Sequence, residues 1–151
     1  MSLAEKYCLT AAFIFFMTGL LTGVWKYRHM ARSPSATAPT YVDIAHRSSL
    51  LYAFAAILLG QFAAVSRFSE QVNAWAALIA LTFFGLAILT YVIHGLLQDT
   101  DNQFQRPHKL GSQTLPGFLF GLFMAALVIG EIGGALTLGL GAMLHVWDVA
   151  L

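Results

Sequence analysis

The sequence predicts an all-α integral membrane protein, a four-helix bundle in one domain. Three observations carry this. Apolar residues make up 58% of the 151-residue chain and charged residues only 10%, against about 25% charged in a typical soluble domain. Too few charges exist to coat a surface in water, so lipid must solvate much of it. Four segments also reach the roughly 20 apolar residues needed to cross the hydrocarbon core. Backbone polar groups in lipid must be satisfied within their own segment, so these segments are helices.

The predicted spans run from about 9 to 27, 47 to 65, 72 to 97 and 116 to 144. The last two are long enough to tilt. Residues 28–45 form a polar loop with Pro34 and Pro39, residues 66–71 a short link, and residues 98–115 a polar loop ending at Pro116. Pro116 suits the first turn of the fourth helix. No cleavable signal is expected at the N-terminus, because the apolar run after Met-Ser-Leu-Ala-Glu-Lys has no small-residue cleavage pattern and continues to spanning length. The sequence carries no internal repeat.

Lys and Arg set the expected orientation. The first and third loops with their helix ends hold Lys26, Arg28, Arg32, Arg47, Arg106 and Lys109, and the other side holds Lys6 and Arg67. The first and third loops are therefore expected in the cytoplasm of a bacterial inner membrane, with both termini outward. A net charge of +1 gives no basic footprint for nucleic acid, which excludes that partner class. Cys8 is the single cysteine and has no disulfide partner; it reads as a small membrane residue.

Glycine pairs at four-residue spacing (Gly19 with Gly23, Gly117 with Gly121, Gly130 with Gly134) let helix backbones approach closely, within the bundle or between copies. Trp25 and Tyr27 fit an interfacial aromatic belt. Tyr52, Phe54, Phe118, Phe120 and Phe123 read as packing, or as walls for a flat cofactor.

Ionisable groups at membrane depth are costly, so each is a candidate for function. His46 opens the second helix. Tyr91 and His94 end the third, three residues apart and on one face. The second helix starts from the side where the third ends, so all three belong at similar depth. Imidazole is a good ligand for haem iron, and two helical histidines can also hold one haem from both sides. A histidine near a helix end can equally be a plain interfacial residue. His29, His108 and His145 read that way. Glu131 lies about 22 Å along the fourth helix at 1.5 Å per residue. It is expected to be neutral and hydrogen-bonded, with Gln61 as candidate partner, or to serve in proton movement. No G-x-S-x-G, H-E-x-x-H, phosphate-binding or dinucleotide motif occurs.

The arrangement resembles the styrene oxide isomerase family. The similar pieces are Gly23-Val24-Trp25 ending the first helix, Ala45-His46 opening the second, Tyr91 at 45 residues after His46, Asn102-Gln103-Phe104 in the third loop, and a glycine-rich fourth helix. The likeness runs along nearly the whole chain through short motifs, of which Asn-Gln-Phe is the most specific. It implies a homotrimer with haem b between protomers and isomerisation of a small lipophilic aryl epoxide to an aldehyde. It implies His46 as the axial ligand, with Arg47 and Asn102 beside the cofactor. Ferric iron would act as a Lewis acid on the epoxide oxygen, and a 1,2-hydride shift would follow ring opening. Tyr91 would meet the substrate. Tyr52 stands where the family has an asparagine that helps hold the epoxide; its hydroxyl can also donate a hydrogen bond. Two other readings remain: a bis-histidine cytochrome b using His46 and His94, and a structural membrane protein without a cofactor.

Overall fold

The computed structural model describes residues 1–149. Four helices dominate it: α1 (Leu3–Arg32), α2 (Thr40–Val65), α3 (Glu70–Leu97) and α4 (Gly117–Val146). All four are long and apolar enough to cross a membrane, and the protein is an integral membrane four-helix bundle.

Local chemistry sets the helix ends. Ser2 and Glu5 form a reciprocal cap at the start of α1: the Glu5 carboxylate accepts from the Ser2 N–H at 2.6 Å, and the Ser2 hydroxyl accepts from the Glu5 N–H. This satisfies donors that have no helical partner. Proline stands at the N-cap of α2 (Pro39) and of α4 (Pro116), and Ser69 caps α3. Gln98 ends α3 in the left-handed region, φ 47°.

The helices outrun the predicted spans because polar residues flanking the apolar runs stay helical, under a side-chain cap at Ser2 and Ser69 and behind Pro39 at α2, where no side chain caps. The largest difference is in α2, which starts at Thr40 instead of 47. His46 therefore lies two turns inside the helix, not at its opening. The third loop is also more ordered than expected. Strands β1 (His108–Leu110) and β2 (Gln113–Leu115) pair antiparallel, with His108 opposite Leu115. Gly111 turns the hairpin at φ +62°, a region glycine enters without a Cβ penalty.

α1 packs on α2, α2 on α3, and α3 on α4, with further packing of α1 on α3 and α2 on α4. The core between them is built largely of alanine: Ala4, Ala12, Ala45, Ala53, Ala56, Ala77 and Ala80 are all buried. Small side chains let backbones close in, which matters in lipid because apolar burial gains little there. Cys8 is buried opposite Gly60, where an added β-carbon would lie 3.1 Å from its own.

Two of the three glycine pairs serve packing inside the bundle. A β-carbon at Gly19 would come 2.6 Å from Leu50 on α2, and Gly134 lies hard against the Ala76 carbonyl of α3. The Gly117–Gly121 pair differs, since Gly121 faces open space. The surface of α4 is broadly apolar, with Phe118, Leu122, Ile129 and Ile132 exposed. In lipid such a surface is solvated.

Candidate functional site

The predicted site residues separate onto two faces of α2. His46 turns toward α1. Its Nδ1 lies 2.8 Å from the Gly19 carbonyl oxygen. A carbonyl only accepts, so Nδ1 carries a proton and donates to it. Nε2 has no hydrogen-bond partner among the described residues. Gly23 makes room for the ring: a β-carbon there would come 2.9 Å from Cε1 and 3.0 Å from Nδ1. The first-helix glycines thus aim the imidazole as well as letting the helices approach.

His46, Leu50, Ala53 and Ile57 fall at i, i+4, i+7 and i+11, one stripe of α2. Along the farther part of that stripe lies a wholly apolar groove of about 380 Å³ between α1 and α2, walled by Phe13, Phe16 and Phe54 with Ala53 and Ile57. Histidine ligands to metals usually have their other nitrogen held by a carbonyl or carboxylate, which fixes the tautomer. His46 meets that condition; the groove itself begins at Ala53, two turns further along α2, and His46 does not line it. An imidazole held this way is a donor of the kind haem iron takes.

The second face looks to α3 and α4. Tyr41 precedes His46 by five residues, roughly 140° around the helix at 3.6 residues per turn. Its ring lies 5.0 Å from that of His94 and stacks on Tyr91 at 6.1 Å. Its hydroxyl accepts from the Gln103 N–H at 2.6 Å. His94 is buried, and its Nδ1 meets the Asp99 carboxylate at 2.8 Å. That carboxylate also accepts from the Gly111 N–H, so one side chain ties α3 to the hairpin. Burial pushes the Asp99 carboxyl up, but the hydrogen bonds from His94 and Gly111 outweigh it and hold the group below its ordinary value. Tyr52 follows His46 by six residues, which puts it about 120° from His46 on the same side of the helix as Tyr41. Its ring stacks on Phe84 at 4.3 Å, and its hydroxyl donates to Glu131 at 3.3 Å. Gln61, the expected partner of Glu131, is exposed instead. Tyr52 takes that role because it faces α4 across a seam where α2 and α4 meet.

Arg47 is exposed and pairs with Asp43 at 3.0 Å, one turn back; Lys26 reaches the same carboxylate at 2.6 Å. Asn102 lies in the third loop, where its side-chain oxygen accepts from the Phe104 N–H in a local turn. Among the described residues no contact brings His46 together with His94, Tyr52 or Tyr91, and no group of three or more His, Cys, Asp or Glu could hold a metal ion.

His108 is buried against Phe120 at 4.1 Å, with Nδ1 on the Gln103 carbonyl. These contacts tie the hairpin to α4 and to the loop before it. Sequence reasoning missed Tyr41 and Asp99. Asp99 was signalled by a carboxylate five residues after a helix-end histidine. Tyr41 had no comparable signal, because its position was read as loop.

No family model, curated protein or solved structure matches the chain.

Proposed function

We propose that this protein is a haem b membrane isomerase, similar to styrene oxide isomerase, acting on a small lipophilic epoxide. The observation that supports it is the His46 imidazole, tethered at Nδ1 to the Gly19 carbonyl, on the same stripe of α2 as an apolar groove that begins two turns further along at Ala53. Ferric haem, when bound, supplies a Lewis acid for an epoxide oxygen.

The chain's own residues have separable tasks in this reading. His46 holds the iron, and the Gly19 carbonyl keeps its tautomer and ring orientation. The phenylalanine-lined groove takes an aryl group and excludes the water that would trap a cation. Arg47 and Asn102, both exposed at the loop end, suit the propionates, since guanidinium pairs well with carboxylate. Tyr91 and Tyr52 bring hydroxyls that orient the substrate oxygen. Because these phenols lie on the other face of α2 from His46, the reading needs a homotrimer in which they serve the cofactor held by a neighbouring copy. The first and third loops would face the cytoplasm of a bacterial inner membrane.

The rival reading, a bis-histidine cytochrome b, draws on one specific observation: the Nδ1 of His94 is fixed by Asp99, which also leaves its Nε2 for a ligand. An absorption spectrum of haem-replete protein in detergent, oxidised and reduced, separates the readings. A Soret band lost only in His46→Ala, without sharp bis-histidine features, supports the isomerase and leads to epoxide assays. A sharp reduced α-band disrupted by either His46→Ala or His94→Ala replaces it with an electron carrier. Colourless wild-type protein would leave a structural role.

A further inference from the structure

Glu131 sits near the middle of α4, fifteenth of its thirty residues, and Tyr52 is at the thirteenth of twenty-six in α2. Their hydrogen bond therefore lies near the centre of the bilayer. A carboxylate at that depth is expensive unless neutral or paired. Among the described residues no cation pairs with Glu131. The titratable groups facing it are Tyr52 from α2 and Tyr91 from α3, which lies within electrostatic reach of both Tyr52 and Glu131.

The surrounding helices are strongly asymmetric. Toward the first-and-third-loop end, dissociable groups follow one another. Tyr91 stacks on Tyr41, Tyr41 lies against His94, and His94 is bound to Asp99. Tyr41, His94 and Asp99 all line a polar cavity of about 330 Å³ at that end, together with Gln98 and Asp101. Toward the other end there is nothing comparable. Residues 53–65 of α2, 71–90 of α3 and 132–144 of α4 contain no ionisable side chain.

We propose that Glu131 is an intramembrane proton-binding site loaded from one side only, through the His94–Asp99 pair, Tyr41, Tyr91 and Tyr52. The proton enters at the polar cavity, passes along the phenol and imidazole groups, and resides on the Glu131 carboxyl as an O–H. Each hop returns the donor to its starting charge when the next proton follows, so no oxidant or reductant takes part. This site needs no bound haem, and its test can be run on protein lacking any cofactor.

The experiment is infrared difference spectroscopy of the full chain in lipid, exchanged from H₂O into D₂O near neutral pH. A protonated-carboxyl stretch that shifts in D₂O and is absent in Glu131→Gln is expected. Its exchange is expected to slow by about tenfold or more in Tyr91→Phe and in His94→Asn, the scale on which a placed proton-transfer group acts. Thr137→Val, on the far half of α4, should leave the rate unchanged. If Glu131→Gln does not fold, Glu131→Asp assigns the band by shifting its frequency. A wild-type spectrum without that band, or equal exchange rates in wild type, Tyr91→Phe and His94→Asn, would overturn the proposal.

Discussion

The two faces of α2 are built on opposite plans. On the α1 side, His46 has one protein hydrogen bond, one free nitrogen and glycine where its ring needs room. On the α3 and α4 side, side chains satisfy one another: Tyr52 with Glu131, His94 with Asp99, Tyr41 with the Gln103 N–H. The first face has donor capacity left over and an apolar groove two turns further along α2. The second has little to spare at the groups that link its helices. A group from outside is thus expected on the first face, whereas internal proton and packing roles belong to the second.

The sharpest way to break this contrast is His46→Ala. With haem supplied, the Soret absorption should vanish while helix content by circular dichroism stays at the wild-type level, because the ring's one hydrogen bond is to a carbonyl. Haem retained at wild-type occupancy would move the binding site to the other face. Gly23→Ala is the gentler version. Its β-carbon would press on the imidazole rather than on backbone, so haem spectrum and affinity should change with little loss of stability.

Next in size is a test of packing on the second side. Gly134 lies against the Ala76 carbonyl, and backbone cannot swing aside. Gly134→Ala is expected to cost about 1–3 kcal/mol, the usual range for overpacking. Gly133→Ala, one residue away and facing open space, should cost nothing measurable. Thermal unfolding in detergent reads both. Equal effects would mean that α3 and α4 do not pack in this register.

The bundle was legible in the sequence because its signal is repeated over every span: apolar length, loop prolines, helix glycines. The site was legible only in part. His46, His94, Tyr52, Tyr91 and Glu131 stand out as polar groups in apolar runs, and all but Tyr91, which stacks on Tyr41, anchor a hydrogen bond. Their grouping did not stand out. Which way a helical residue points depends on where its neighbours pack, and the early start of α2 at Thr40 hid Tyr41 in what read as loop. The pairing of Glu131 with Tyr52, 79 residues apart, likewise follows from helix order rather than from any local pattern.

A smaller effect tests that pairing directly. Tyr52→Phe, Glu131→Gln and the double substitution form a cycle whose coupling should be about 0.6 kcal/mol and at most roughly 1.7, the range for hydrogen bonds between membrane helices. Zero coupling would separate the two residues and remove the last step of the proton path, while leaving His46 untouched.

The smallest expected effect concerns the latch at the loop end, and pH is its natural probe. The Asp99 carboxyl is held below its ordinary value of 3.8 by His94 and Gly111 in spite of burial. A carboxyl with a depressed folded value binds fewer protons in the folded state than when released. Its contribution is therefore complete above pH 3.8 and fades as pH falls below that value through the lower folded one. Amide protection in residues 98–115, taken relative to the intrinsic exchange rate at each pH, should hold at neutral pH and fall below about 3.8, with the spans themselves unaffected. Asp99→Asn should show the lowered protection already at pH 7, because the amide gives only a neutral acceptor to the His94 and Gly111 donors. If the hairpin stays protected in Asp99→Asn, strand pairing and the His108 stack on Phe120 hold the loop by themselves. The polar cavity would then keep its shape with or without the charge beside His94.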